Sequence, residues 1–456
     1  MNLRDDEATT DYRLGWRWLA PLRSGDRVLL EGFSRDEEGF LKRMLACHDA
    51  TVGFPQAEVL LAMDPEPPEE GGEYPGLQGC CILGEGPRVR KWMRWAGGRF
   101  PRCSLYALLP PGRPRVVVPL GTPRHVRLAL SLHRPGRRLA RWLTVMLGGL
   151  AAVGVTRPLQ RRLLLVAGDR GREPMGSDLF RGAGTAEGNE YVLYLGTPDD
   201  NRKTVVLVLS DGESAIEKHG ATPKAVAALE NEAAVLGLLK QTPVAARVPV
   251  LLGHRVEDGR AALRQTYRRR RWILPSSMRR EVVRFLVDLA RVEPANRLLS
   301  RVLEEGEVRE GIRWCREHGL GEPVILRLEG MGRQGRQLAG HRCHGDFAPW
   351  NSIWTRQGLL VFDWEASRPW EPALADAFYY SVAPALHVPG RRRAPGRVRR
   401  AAWAFARQVA AGSGMEPDVV PFYWALWLLA RLGERPDDLY QMLMRELERS
   451  WNESVA

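Results

Sequence analysis

Lysine is nearly missing from this chain: only six of its 67 basic residues are lysine and the rest are arginine. Such a skew reads more readily as a coding bias than as a binding surface. A net charge of +13 over 456 residues still leaves room for a nucleotide, a phosphorylated substrate or peripheral contact with an anionic surface. The arginine clusters at Arg268 to Arg271 and Arg391 to Arg400 lack interleaved aromatic residues. No nucleic-acid partner is therefore expected. Cysteine is also sparse, at positions 47, 80, 81, 103, 315 and 343, with no CxxC pair. That argues against a zinc site and a disulfide framework and fits a reducing compartment. The longest apolar run, Trp142 to Val155, is too short to cross a bilayer, so no integral membrane segment is expected. The first residues are polar and acidic with no apolar core of a signal, which leads to the expectation of a soluble cytoplasmic protein. What remains is an ordinary globular composition, 44% hydrophobic and 27% charged, in a chain long enough for two or three domains.

One stretch carries chemistry. His344-Gly345-Asp346-Phe347-Ala348-Pro349-Trp350-Asn351 is followed by Gly358-Leu359-Leu360-Val361-Phe362-Asp363-Trp364-Glu365. Transfer of a γ-phosphoryl group needs a carboxylate that accepts the proton of the attacking hydroxyl and oxygen ligands that hold Mg²⁺ against the phosphates. Asp346 and Asn351 stand five apart, the spacing at which protein kinases place the base and a metal ligand. Ser352 to Trp354 reads as a short strand, Thr355 to Gly358 as a turn and Leu359 to Phe362 as a buried strand, a hairpin that returns Asp363 to Asn351.

The wording HGD, then N, then DWE resembles the aminoglycoside phosphotransferase and choline kinase-like family. The resemblance implies Asp346 as catalytic base, Asn351 and Asp363 as Mg²⁺ ligands, His344 as support for the loop backbone and Asp376 as a structural aspartate on the following helix. It also implies ATP and Mg²⁺ as cofactors and a small-molecule hydroxyl as acceptor.

Upstream, Tyr191 to Leu195, Thr204 to Leu209 and Glu213 to His219 read as strands, and Thr222 to Leu239 as a helix with Pro223 in its first turn. Lys218 and Glu232 match the family's strand lysine and helix glutamate, which grip the nucleotide phosphates; Glu230 is the competing partner, well around the helix. The turn Gly196 to Lys203 would lie over the phosphates, with Asn201 or Lys203 in contact, although it is not a GxGxxG loop. Where the family offers an apolar hinge strand, this chain has Tyr267 followed by four arginines.

Residues 1 to 104 read as an α/β domain. A helix near Tyr12 to Leu22 followed by GDRVLLEG resembles the opening of an S-adenosylmethionine-dependent methyltransferase. The departure is that Phe33 to Glu38 fill the places where that family needs glycine for close approach to the cofactor. Residues 105 to 184 read as a connector with strands and a helix pair. Downstream of Ser276 helices are expected at Ser277 to Val292, Asn296 to Glu305 and Glu307 to His318, then a glycine-rich loop to Leu338, a basic loop over Gly390 to Arg399 and three closing helices.

The expected architecture is α+β: a two-lobed protein kinase-like fold, with a small antiparallel β lobe over 185 to 266 and a large helical lobe over 267 to 456, preceded by a smaller α/β domain. The expected function is an ATP- and Mg²⁺-dependent small-molecule phosphotransferase. The alternative is a non-catalytic kinase-like nucleotide-binding or scaffold protein whose N-terminal domain carries the function.

Overall fold

The computed structural model describes residues 15–22, 26–44, 57–67, 74, 76–110, 114–132, 138–169, 190–195, 201–209, 214–257, 259–271, 276–388 and 394–453. The chain divides into two compact units, one of residues 1–230 with 251–267 and one of 231–250 with 268–456.

The first unit is organised by one sheet. Its strands are β1 (Val28–Glu31), β2 (Val59–Met63), β3 (Gly79–Glu85), β4 (Arg102–Leu109), β5 (Val116–Pro119), β6 (Arg162–Gly168), β7 (Glu190–Tyr194), β8 (Thr204–Leu209), β9 (Ala215–Gly220), β10 (Leu251–Glu257) and β11 (Arg260–Thr266). Their order is β1-β2-β3-β6-β4-β5-β7-β8-β9-β11-β10. The first three strands run parallel, and all later pairings are antiparallel. Short apolar runs such as VLLAM and GCCILG are buried on both faces, as covered strands must be.

Helix α1 (Arg35–Met44) follows β1 and starts at a capping box: the Ser34 hydroxyl donates to the Glu37 carboxylate, which also accepts the Ser34 N–H, and the Glu37 N–H reaches back to Ser34 Oγ at 3.4 Å. Helices α2 (Gly86–Gly97), α3 (Pro123–Leu132) and α4 (Arg138–Ala152) complete the layers. One face of the sheet packs Trp16, Phe40 and Leu41; the other packs Val89, Trp92, Val126 and Ala151 from α2, α3 and α4.

The stretch over 105–184, expected as a connector with strands and a helix pair, contributes β4, β5 and β6 as interior strands, and β5 pairs with β7 at Val116↔Tyr194 and Val117↔Leu193. The apolar layers also run on across that seam, because Leu193 and Val206 join one face and Val192 and Leu207 the other. The expected helix at Tyr12 to Leu22 is a 3-10 turn, Gly15–Leu19, with residues 12–14 outside the described ones. The Arg134 to Gly136 break and Gly196 to Asp200 also lie outside them.

Helix α5 (Pro223–Leu239) runs through the division between the units. The second unit then holds α6 (Met278–Leu289), β12 (Ala295–Leu298), α7 (Leu299–Glu304), α8 (Gly306–Glu317), α9 (Glu322–Arg333), β13 (Gln337–Cys343), the hairpin β14 (Ser352–Thr355) and β15 (Gly358–Val361), β16 (Arg368–Pro372), α10 (Ala375–His387), α11 (Pro395–Gly412), α12 (Val420–Glu434) and α13 (Asp438–Glu453). Its centre is α12, buried from Phe422 through Ala430. Gly311 of α8 lets the helices touch: a Cβ there would lie 1.8 Å from the Leu429 carbonyl oxygen.

Three readings are corrected in this unit. Asn296 to Leu298 is strand, pairing with β13, and only the residues after it are helical. The expected glycine-rich loop contains α9, started by Pro323 in its first turn. The expected basic loop over Gly390 to Arg399 is helical from Pro395 onward.

Candidate active site

β13 delivers the loop over residues 344–351 and α10 holds it in place. The Asp376 carboxylate, in the first turn of α10, accepts the backbone N–H groups of His344 at 2.7 Å and Gly345 at 3.1 Å. Gly345 is the residue the loop requires. Its φ is +83°, and a Cβ would lie 2.0 Å from the Ala366 carbonyl oxygen. The buried His344 ring places Nε2 3.0 Å from the Phe362 carbonyl oxygen, which ties the loop to the residue before Asp363. The sequence-derived supporting roles of His344 and Asp376 thus correspond to these contacts.

Asn351 closes the loop. Its amide donates to the Asp346 carbonyl and to the Asp346 carboxylate, both at 2.9 Å, so the residues five apart in sequence are in direct contact. The hairpin forms as the spacing predicts, Ser352↔Val361 through Thr355↔Gly358, and the Phe362 N–H donates to the Asn351 carbonyl at 3.0 Å. That bond carries the ladder to the edge of Asp363, which sits at φ +71° in the left-handed region that few non-glycine residues occupy.

Around Asp363 lie further carboxylates. Oxygens of Glu232, Asp363 and Glu365 all come within 4.8 Å of one another, with Glu232 fully buried. Three clustered carboxylates are hard-oxygen donors of the kind a divalent cation such as Mg²⁺ takes. Asn231, next to Glu232, fixes the segment after Asp363: its side-chain amide donates to the Glu365 carbonyl at 2.8 Å and the Ser367 carbonyl at 3.0 Å. Sequence reasoning missed both Asn231 and the gathering of Glu232 with Glu365. No local signal marks contacts made across more than 130 residues.

The electrostatics follow. Burial pushes the Asp346 carboxyl up to about 6, and the negative charges of Asp363 and Glu365 add to the rise, while hydrogen bonds from Tyr379 and Asn351 oppose it. Burial likewise pushes Asp376 up to about 7 against its two backbone N–H donors. Helix α10 serves the loop at several points: Tyr379 reaches Asp346, the Tyr380 ring lies 5.3 Å from Phe347, and His387 meets Trp350 edge to face at 5.8 Å.

The remaining candidates are in the first unit. Lys218 lies on β9, 6% exposed, between Val205 of β8 and Leu263 of β11. Glu230 is exposed on the same helix that buries Glu232. Lys203 donates to the Asn201 side chain at 3.2 Å, just ahead of β8. Among the described residues no helix is long and apolar enough to cross a membrane.

No curated protein matches the chain. Among solved structures it is similar to a thermostable mutant of aminoglycoside phosphotransferase APH(4)-Ia, at 12% identity and TM-score 0.39, over 60% of this chain and 98% of that one. It is also similar to aminoglycoside phosphotransferase APH(3'')-Id from Streptomyces rimosus, at 19% identity and TM-score 0.34, over 55% and 96%. A third is amicoumacin kinase hAmiN, at 10% identity and TM-score 0.36, over 54% and 86%. A family model also matches: residues 196–412 are similar to the phosphotransferase enzyme family APH.

Proposed function

We propose that the protein is an ATP- and Mg²⁺-dependent phosphotransferase that moves the γ-phosphoryl group to a hydroxyl of a small molecule, such as a sugar, an aminoglycoside-like compound or an amino-alcohol, in the cytoplasm. The kinase-like part is taken as residues 185–456, with a small lobe over 185–266 and a helical lobe over 267–456. The observation that carries this reading is the contact of the Asp346 carboxylate with the Asn351 amide, on a loop whose backbone Asp376 holds and beside the carboxylates of Asp363 and Glu365.

In the proposed reaction the acceptor oxygen forms a bond to the γ-phosphorus as the bond to the bridging oxygen breaks and ADP leaves, and the hydroxyl proton passes to Asp346. Asn351 fixes the rotamer of that carboxylate. Asp363 and Asn351, with Glu365 and Glu232 close to Asp363, would hold Mg²⁺, which supplies charge neutralisation to the phosphates when bound. Lys218 is proposed to contact the phosphates with Glu232 as its partner, and Asn201 or Lys203 to touch them from the turn.

The test is ATP binding with and without Mg²⁺, beside Asp363→Ala. Mg²⁺-dependent binding that the variant loses supports the reading and justifies a screen of hydroxyl acceptors. No binding by the wild-type protein overturns it.

A further inference from the structure

The net charge of the chain is not spread along it. From Gly86 to Gly168 there is no aspartate or glutamate at all, while 17 lysines and arginines fall in the same stretch, against +13 for the whole protein. A coding bias toward arginine enriches one residue type everywhere. It does not remove acids from 83 consecutive positions. This stretch contributes α2, α3 and α4, and all three pack on the same face of the sheet, through Val89, Trp92, Val126, Ala129 and Ala151.

The outer surface of that layer has two components. On α2, Arg88, Arg90, Lys91 and Arg94 are exposed around a 38%-exposed Met93, although Arg88 pairs with Glu66 at 3.2 Å and Arg90 donates to Gln160 at 2.8 Å. On and just after α4, Leu143, Val145, Met146, Val153 and Val155 are all 45% exposed or more, with no charged residue from Trp142 to Thr156. Leu252 and Val256 of β10, with Val250 just before it, form a smaller exposed apolar group, and the remaining exposed large apolar residues among the described ones lie singly on other elements. Leu143 and Met146 lie three apart on one side of α4, with Val153 just past its end, and such a group of exposed apolar side chains marks a contact surface.

We infer that this α2–α4 layer is a docking surface for an anionic lipid bilayer. Apolar side chains without interspersed charge suit the acyl boundary, and basic residues on the same layer suit phosphate headgroups. A nucleic acid would use the charge and leave the apolar group in water. A second copy of the chain would use the apolar group and oppose like charges. At 15 residues α4 lies on the bilayer and does not cross it.

The test is co-sedimentation of the full-length protein with large unilamellar vesicles of phosphatidylcholine alone or with about one third phosphatidylglycerol, at low and raised salt. Binding is expected to the anionic vesicles only and to weaken with salt. Reversing three charges in Arg88→Glu/Lys91→Glu/Arg94→Glu is expected to weaken it by about a hundredfold, at roughly fivefold per basic residue. The apolar variant Leu143→Ser/Met146→Ser/Val153→Ser should lose binding to the same vesicles with an unchanged melting temperature, since these side chains are already in water. Equal binding to neutral vesicles, no sedimentation with anionic ones, or anionic binding that the apolar variant keeps would each overturn the inference. So would a wild-type dimer that the apolar variant turns into a monomer, or retention on duplex DNA with the affinity seen for vesicles.

Discussion

The two compact units treat charge in opposite ways. In the second unit, acids are gathered and held close: Asp346, Asp363, Glu365, Asp376 and Glu232 lie around one loop, where burial raises the Asp346 and Asp376 carboxyls and the charges of Asp363 and Glu365 add to the rise at Asp346. In the first, acids are excluded from a whole segment, and basic side chains are left exposed over an apolar core. The lesson is that a catalytic site for a cation–phosphate pair stores its charge inside, where hydrogen bonds must fix each group. A surface for an extended anion leaves charge outside, where number counts and geometry does not.

The comparison breaks most readily at Asp346. Asp346→Asn is expected to cut kcat for phosphoryl transfer by about a thousandfold, within the range of a lost general base, and to leave ATP affinity nearly unchanged. If the two units are as different as described, the same variant should melt at a higher temperature at pH 8. A carboxyl whose folded pKa is raised from 3.8 to about 6 contributes stability that is full below the unfolded value and lost as pH rises through about 6. A variant with a lower melting temperature at pH 8 would show that Asp346 is not under electrostatic stress.

Next in size is Asp376→Ala, which removes the acceptor of two backbone N–H groups. Stability is expected to fall by about 2–3 kcal/mol, read by denaturant unfolding, with a lower kcat as the loop loosens. A kcat equal to the wild type would show that the loop keeps its shape without this anchor. The pH profile is a finer probe. With a base that must be ionised, kcat/KM should fall as pH drops below about 6, and raising Mg²⁺ should move that limb to lower pH by relieving the repulsion from Asp363 and Glu365. A limb near 4 at low Mg²⁺ would contradict the crowding of carboxylates. The smallest effect is expected in the first unit: Ser34→Ala opens the α1 cap and should cost about 1 kcal/mol of stability with no change in Mg²⁺-dependent ATP binding.

The loop over residues 344–351 is legible because its information is local. Asp346, Asn351 and Asp363 lie within one loop and one hairpin, and the spacing alone brings them together. Lys218 and Glu232 were legible as candidates from strand and helix placement. The Ser34–Glu37 box stands in the sequence as S-x-x-E, a pattern too short to mark a helix start by itself. Strands β2 and β6 escaped notice because short apolar runs without alternation carry no period. In α9 the glycines at 330 and 332 outweighed Pro323, which marks a helix start. The trio of Glu232, Asp363 and Glu365 depends on α5 meeting a segment over 130 residues away. Such a contact is a property of packing, and no window of sequence contains it.

The β5–β7 pairing rests on two residue pairs, yet it decides how the chain can be divided. A protein cut before residue 185 would lose β5 and leave β7 with its backbone N–H and C=O groups bare along an apolar edge, a template for adding strands from other molecules. Whatever else the first 168 residues do, they act as a permanent cover for that edge.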